Sequence, residues 1–256
     1  MEKICSENEC YGCSACFNIC PVKCITMVSD SEGFLQPKID SSRCIDCRKC
    51  ISVCQVYENR FIAKQFEQKY YAVKADDAIR KNSSSGGMFT VLSDYIFANG
   101  GFVVGVGYDE QFKVIHKIVD NAESCNNLRN SKYVQSDLTE IFQDIRTLLL
   151  KDKLVLFTGL PCQVEGLNLF LGKSFENLIT VDLICHGAPS PAVFKSFIEY
   201  IQEKETRKLL DFKFRDKRSG WRGYNVTAIF KKKIIKKKLW LRSFNYLFSR
   251  ILINRR

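Results

Sequence analysis

Two cysteine runs of identical spacing constrain the first quarter of the sequence. The first run reads CYGCSACFNICP over residues 10–21, and the second reads CIDCRKCISVCQ over residues 44–55. In both runs the gaps between successive cysteines are two, two and three residues. Ten of the 13 cysteines of the chain lie within its first 54 residues. A repeated spacing implies that the same chemistry occurs twice.

The spacing C-x2-C-x2-C-x3-C is typical of proteins that hold a cubane of four irons and four sulfides. Because the fourth cysteine of such a run ligates the other cubane, the two runs predict two 4Fe-4S clusters with crossed ligands. The second run has Gln55 where the first has Pro21, and we expect this change to be tolerated because the proline is not a ligand. The ligands predicted for the first cluster are Cys10, Cys13, Cys16 and Cys54, and those for the second are Cys44, Cys47, Cys50 and Cys20.

Two other uses of the cysteines are less favoured. Structural zinc sites also take four cysteines, but usually as two separated C-x2-C pairs, so zinc is kept as the alternative. Disulfide scaffolds are short and secreted, and the N-terminal residues MEKICSENEC do not resemble a signal peptide. Cys5 and Cys24 lie outside the repeated spacing and are predicted to be buried packing residues.

The positive charge of the chain is concentrated at its C-terminal end. The formal net charge is +11, and residues 207–256 contain 17 basic and 2 acidic side chains. The segment AIFKKKIIKKKLW (228–240) has no accompanying nucleic-acid-binding module, so we predict a solvated hairpin edge, with docking to an acidic redox protein as the alternative and no nucleic acid partner. No apolar run is long enough for a transmembrane segment, and we predict a cytoplasmic protein.

Hydrophobic periodicity changes after a connector near residues 58–69. Strands alternate with helices from there on, which predicts a mixed α/β domain. The expected fold is a small two-cluster bacterial-ferredoxin domain at 1–60, with a hairpin between the cysteine runs, followed by a larger mixed α/β domain at 70–256. The predicted strands are 70–75, 101–108, 112–119, 153–159 and 178–185, and the predicted helices are 86–100, about 137–151, and two that start near 162 and 191.

Two loops at helix starts are candidate ligand sites. NSSSGGMF (82–89) places glycines and serines where free N–H groups suit a phosphate, although a serine helix cap explains the same residues. FTGLPCQ (157–163) places Cys162 at the start of a helix, a position that lowers the pKa of a thiol and makes it a candidate ligand or redox group; the alternative is a buried packing cysteine. His116 is predicted to be structural.

Five motifs in order carry a family resemblance: SSSGGMFT, SKYVQSD, FTGLPCQVEGL, VDLICHGAPSP and FRDKRSGWRGYNV. With the cysteine module before them, they resemble the family of coenzyme F420 hydrogenase/dehydrogenase beta subunits. The resemblance implies an iron-sulfur flavoprotein oxidoreductase in which FAD exchanges a hydride with a small-molecule donor or acceptor. The clusters then pass single electrons to or from a redox protein partner or partner subunit. The residues implied for FAD, expected to converge on one cleft, are Ser85, Gly86, Gly87, Lys132, Tyr133, Thr158, Pro161, Cys162 and Gln163.

The sequence departs from this family at its end. It stops at Arg256 within the apolar periodic segment FNYLFSRILIN (244–254), whereas chains that resemble it usually continue with another cysteine pair. We therefore expect an incomplete flavin site and weak FAD binding. The alternative function is a non-catalytic electron-transfer subunit or adaptor that binds no flavin.

Overall fold

The computed structural model describes residues 3–57, 69–217, 225–231 and 233–235. Its helices are α1 (Ala15–Ile19), α2 (Lys49–Ser52), α3 (Asp77–Lys81), α4 (Met88–Ala98), α5 (Ala122–Cys125), α6 (Ile141–Leu150), α7 (Pro161–Leu171) and α8 (Pro191–Glu205). Its strands are β1 (Ile25–Ser29), β2 (Leu35–Ile39), β3 (Phe102–Tyr108), β4 (Val114–Val119), β5 (Val155–Gly159), β6 (Leu178–Asp182), β7 (Leu209–Asp216), β8 (Asn225–Phe230) and β9 (Lys233–Ile235).

The cysteine module is a hairpin between two very short helices. β1 and β2 pair antiparallel, with Ile25 opposite Ile39, which confirms the predicted hairpin. The Asp30 carboxylate accepts hydrogen bonds from the N–H groups of Glu32 and Phe34 and so fixes the turn. Each short helix starts inside a cysteine run, so the sheet and both helices keep the two runs side by side.

The central sheet of the larger domain is mixed, in the order β4-β3-β5-β6. β3, β5 and β6 are parallel, as expected for strands joined through helices, and β4 pairs antiparallel with β3. α8 begins where the sequence predicts, because the Ser190 hydroxyl accepts from the N–H of Val193 and Pro191 occupies the first helical position. The predicted mixed α/β fold is confirmed.

A second, antiparallel sheet has the order β7-β8-β9. Phe212 and Phe214 of β7 pack with Phe194 of α8, with ring centroids 5.0–5.6 Å apart, and form a separate aromatic core. The β8–β9 pair agrees with the predicted hairpin up to residue 235. Residues 236–240 of the basic segment and the apolar segment 244–254 lie outside the described residues.

Several predicted elements differ in the structure; the strand predicted at 178–185, for example, ends at Asp182. The predicted strand 70–75 is wrong: these residues join no sheet, and Tyr70 and Tyr71 are exposed. The first helix of the larger domain starts at Met88 rather than at 86, since Gly87 adopts a left-handed conformation with φ 94° before it. Helix α6 begins at Ile141 after a left-handed Glu140. None of the helices in the described ranges is both long and apolar enough to cross a membrane.

The cysteine module is packed directly on the larger domain. Ala15 and Val53 are buried in the same apolar cluster as Phe157 and Leu167. The side chain of Gln135 donates to the carbonyl of Tyr11 at 3.2 Å and accepts from the N–H of Leu35 at 3.3 Å. The Ser190 hydroxyl donates to the carbonyl of Glu32. The larger domain therefore forms one wall of the module, although a division near 58–69 stays a prediction.

Candidate iron-sulfur sites

Two recesses in the cysteine module are each lined by five cysteines. The first is lined by Cys5, Cys10, Cys13, Cys16 and Cys54, and the second by Cys20, Cys24, Cys44, Cys47 and Cys50. Each recess thus gathers three cysteines of one run and the fourth cysteine of the other. This is the grouping that crossed ligation requires, and ligation itself stays a prediction.

Local backbone conformation explains how each run curves around its recess. Left-handed residues flank the second cysteine of both runs: Gly12 and Ser14 have φ of 64° and 61°, and Asp46 and Arg48 have φ of 51° and 57°. A non-glycine residue in this region costs about 1–2 kcal/mol. Left-handed residues within such loops turn N–H groups inward into a concave site for anions, as in many iron-sulfur sites. The repeated geometry supports the fit of two anionic clusters.

Backbone N–H groups also point at individual sulfur atoms. The N–H of Gly12 donates to Sγ of Cys10 at 3.4 Å. Burial raises the pKa of the Cys13 thiol to about 11, against the opposing effect of a hydrogen bond from the N–H of Ala15. Without iron, this buried thiol holds its proton at neutral pH. Because metal ligands must be deprotonated, a cluster held by Cys13 would require the loss of this proton.

Within the described residues, no group of three or more His, Cys, Asp or Glu side chains is arranged to hold a single metal ion. The cysteines instead border recesses. A mononuclear zinc site needs its sulfur atoms about 2.3 Å from one point, whereas a cubane receives one thiolate at each iron corner. Each recess is lined by five cysteines, one more than the four thiolates that a cubane takes.

The two cysteines outside the pattern lie beside the recesses; Cys24 is buried, as predicted, whereas Cys5 is partly exposed. Hydrogen bonding to Cys10 and Cys54 raises the pKa of the Cys5 thiol, and the same bond lowers the pKa of Cys10. Sγ of Cys24 lies 3.5 Å from Sγ of Cys20, and burial raises the pKa of Cys24 to about 11. Spacing gave no signal for these contacts because both residues fall outside the repeated gaps. Each recess therefore has a protonated thiol next to a predicted ligand.

The two recesses differ in their surroundings. At the first, α7 approaches so closely that a Cβ on Gly166 would lie 3.0 Å from Sγ of Cys13. At the second, Cys47 is exposed and all of residues 45–49 are exposed with it. The first site faces the larger domain, and the second faces solvent.

The serine-glycine loop at 82–89, before α4, contacts residues 130–131, next to Lys132 and Tyr133. The Ser84 hydroxyl donates to Oδ1 of Asn130 at 3.2 Å and accepts from the N–H of Ser131 at 3.0 Å. Ser85 and Gly86 are exposed, and a Cβ on Gly86 would meet no atom within 4 Å. This loop has room for a ligand at Ser85 and Gly86.

The side chain of Lys132 turns inward. Its Nζ lies within hydrogen-bond distance, 2.7–3.3 Å, of four carbonyl oxygens, those of Val106, Asn127, Leu128 and Arg129. Burial lowers the pKa of Lys132 to about 7. A role in neutralising a phosphate would require the ammonium to leave these carbonyls. The neighbouring Tyr133 is exposed, and its ring meets Phe214 edge-on at 5.7 Å.

At the start of α7 the polar side chains make internal hydrogen bonds. Oε1 of Gln163 accepts from the N–H of Leu160, and its Nε2 donates to Ser136, both at 2.9 Å. The Thr158 hydroxyl donates to the carbonyl of Val104 at 3.0 Å. The bond from Gln163 to Ser136 links the loop at 158–163 to the SKYVQSD segment (131–137), which contains Lys132 and Tyr133. A single flavin cleft formed by all three loops stays a prediction.

The expectation of a lowered pKa at Cys162 is wrong. Cys162 follows Pro161 in the first turn of α7, as predicted, but burial raises the pKa of its thiol to about 12. The nearby thiols of Cys13 and Cys185 act in the same direction and outweigh the hydrogen bonds of the helix start. Cys162 thus lies next to the first recess rather than in an electropositive pocket.

Comparison with protein families matches three consecutive parts of the chain. Residues 9–57 match the 4Fe-4S dicluster domain. Residues 69–143 and 152–247 match the N-terminal and C-terminal parts, respectively, of the coenzyme F420 hydrogenase/dehydrogenase beta subunit.

Individual relatives agree with these matches. The chain is 30% identical to the coenzyme F420-dependent sulfite reductase of Methanocaldococcus jannaschii over 177 residues, which cover 66% of this chain and 26% of the relative. It is 21% identical to a subunit of the F(420)H(2) dehydrogenase of Methanosarcina mazei over 72% of this chain and 55% of the relative. The chain therefore spans about a quarter and about half of these two relatives. A solved F420-reducing NiFe hydrogenase complex from Methanosarcina barkeri contains a chain with 18% identity and a TM-score of 0.41, over 63% of this chain and 56% of that chain.

Proposed function

Because the chain belongs to the family of coenzyme F420 hydrogenase/dehydrogenase beta subunits, we propose that it is an iron-sulfur electron-transfer subunit of an oxidoreductase. Two 4Fe-4S clusters would supply one-electron steps, and FAD would supply the two-electron exchange of a hydride with a small-molecule donor or acceptor. The observation that carries the proposal is the gathering of pattern cysteines from both runs at each of two recesses.

The ligands proposed for the clusters are those of the crossed pattern. The thiols of Cys10 and Cys20 receive backbone N–H hydrogen bonds, and the loops of both runs have the same left-handed positions. These features supply the partial positive charge that an anionic cluster needs around it. They support iron-sulfur clusters independently of the cysteine count.

The flavin part of the proposal draws support mainly from the exposed loop at Ser85 and Gly86, which is open enough for a phosphate group. Lys132 and Gln163, by contrast, already use their polar atoms within the protein. These internal bonds favour the second candidate function, an electron-transfer subunit that binds no flavin. In both functions this chain connects a redox partner or partner subunit to the two clusters.

Anaerobic purification followed by iron, sulfide, zinc and flavin analysis tests both functions. The flavoprotein function requires about eight irons and eight sulfides per chain together with bound FAD. The same iron and sulfide content without flavin, after incubation with excess FAD, supports the second function. Stoichiometric zinc in protein purified without oxygen, with no acid-labile sulfide, would overturn both and restore the zinc alternative.

A further inference from the structure

Gln55 occupies the position next to Cys54 where the first run has a proline next to Cys20. It is 3% exposed and lines the first recess, and the corresponding Pro21 lines the second. The two cluster sites therefore differ at one equivalent position. Proline has no donor there, whereas the side-chain amide of glutamine offers two N–H groups.

The Gln55 amide is fixed between α7 and the first recess. Nε2 donates to the carbonyl of Cys162, in the first turn of α7, at 2.9 Å. Oε1 of Gln55 has no hydrogen-bond partner among the described residues, so the amide is held by its nitrogen. Gln55 and Cys13 line the same recess, where burial raises the pKa of the Cys13 thiol and the presence of Gln55 lowers it by a smaller amount.

A hydrogen bond to a ligand sulfur stabilises the reduced cluster more than the oxidised one, because reduction adds negative charge to the cluster and its thiolates. The potentials of iron-sulfur clusters are set by such hydrogen bonds and by solvent exposure. The first site is buried against α7, which alone disfavours the added charge. A buried amide donor acts in the opposite direction.

We propose that Gln55 is a positioning residue that raises the reduction potential of the first cluster, through an amide hydrogen bond to Cys13 that the carbonyl of Cys162 holds in place. The inference rests on the proposed iron-sulfur function. It gives the first site a side-chain amide donor at the position where the second site has Pro21. It also makes the contact between the cysteine module and α7 part of the electronic environment of the cluster.

The test is an anaerobic redox titration of the full chain, followed by electron paramagnetic resonance. The variants are Gln55→Leu, which removes the donor at similar volume, and Gln55→Glu, which keeps the shape without amide protons. Gln36→Leu is the matched control, since Gln36 is also buried in the module but donates to the carbonyl of Glu7. Cys13→Ser identifies which signal belongs to the first cluster.

We expect Gln55→Leu to lower the one-electron reduction equilibrium constant of the first cluster about tenfold, a shift of about 59 mV to more negative potential. The second cluster and the Gln36→Leu control should keep their potentials. Unchanged potentials with full iron content would overturn the inference. So would loss of iron from the first site in both Gln55 variants, because the role would then be structural only. Iron analysis of the wild-type protein reports separately on the proposed function.

Discussion

At the second recess a predicted ligand, Cys20, lies next to Cys24, a cysteine outside the repeated spacing. Their sulfur atoms lie 3.5 Å apart beside the second recess. The N–H and the thiol of Cys24 both donate toward Cys20; burial raises the pKa of Cys20, but these bonds outweigh it and lower that pKa. These bonds favour the thiolate form of Cys20, with Cys24 as the donor.

This assignment predicts opposite results for two cysteine-to-serine changes. Cys20→Ser should lose about half of the iron, roughly four of eight atoms, because it removes a ligand of one cluster only. Its residual electron paramagnetic resonance spectrum should match that of Cys44→Ser, since both changes remove the second cluster. Cys24→Ser is the control and should keep both clusters. A Cys20→Ser spectrum that instead matches Cys10→Ser would contradict the crossed ligand assignment.

His116 provides a pH prediction at the same scale. It is buried in β4, Nε2 lies 3.2 Å from the carbonyl of Thr158, and the ring stacks on Phe157. Burial lowers the pKa of His116 to about 4 in the folded protein. The unfolded chain therefore binds a proton near pH 6.5 that the folded chain takes up only near pH 4, so stability falls as pH decreases through this range.

Between pH 7 and pH 5 this difference should remove roughly 2 kcal/mol from the free energy of unfolding. In His116→Gln that part of the pH dependence should be absent, whatever the stability of the variant at pH 7. Anaerobic denaturant unfolding at both pH values, followed by circular dichroism, measures the change. An equal decrease in wild type and variant would rule out His116 as its source.

At the scale of secondary-structure elements, the contact of α7 with the first cysteine run is the tightest constraint on the site. A Cβ on Gly166 would lie 2.9 Å from Cβ of Cys13 and 3.0 Å from its sulfur. Because both atoms belong to a predicted ligand, a Cβ added at Gly166 would have to displace either Cys13 or helix α7. Packing of α7 and cluster binding at the first site are therefore coupled.

Gly166→Ala should thus destabilise the protein by about 1–3 kcal/mol through overpacking and make the first cluster labile. Gly86→Ala is the matched control, because its added Cβ enters open space on an ordinary backbone. Thermal unfolding and the rate of iron loss under anaerobic dialysis measure the two effects. Equal iron retention in both alanine variants would show that α7 does not press on the ligand.

The elements of this protein were predictable to different degrees. α7 and α8 follow from periodicity and from a proline at the helix start, and β3 and β5 from apolar runs ended by glycine or turn residues. Strand β7 was missed, although Phe212 and Phe214 alternate with charged residues as in a half-buried strand. The segment 70–75 was predicted as a strand from composition alone and has no sheet partner.

The residues of the sites were also predictable to different degrees. The grouping of the cysteines could be predicted because the crossed spacing encodes it within 45 residues of sequence. The contacts of Gln55 and Gly166 could not, since each depends on how α7 packs against the module about 107 and 150 positions away in sequence. Spacing therefore specifies the cluster ligands, and tertiary packing specifies what surrounds them.

At the scale of the whole molecule, the two sites have opposite surroundings. The first lies between the cysteine module and α7, whereas the loop at 45–49 that borders the second is exposed. Ile45 at the tip of this loop is 61% exposed. In the proposed function, this arrangement makes the second cluster the point of electron exchange with an external redox partner, and the first cluster the link to the larger domain.

The exposure difference also predicts the order in which the clusters are lost. An iron chelator or mild oxidant should attack the second cluster first, because Cys47 is exposed, whereas the cysteines of the first site are only partly exposed and α7 packs against Cys13. Electron paramagnetic resonance at intervals after addition of chelator measures the two losses, with Cys44→Ser providing the spectrum of the first cluster alone. In Gly166→Ala the two rates should become more similar, since α7 then covers the first site less well. Loss of the first cluster before the second in the wild-type protein would contradict the assignment of an inner and an outer site.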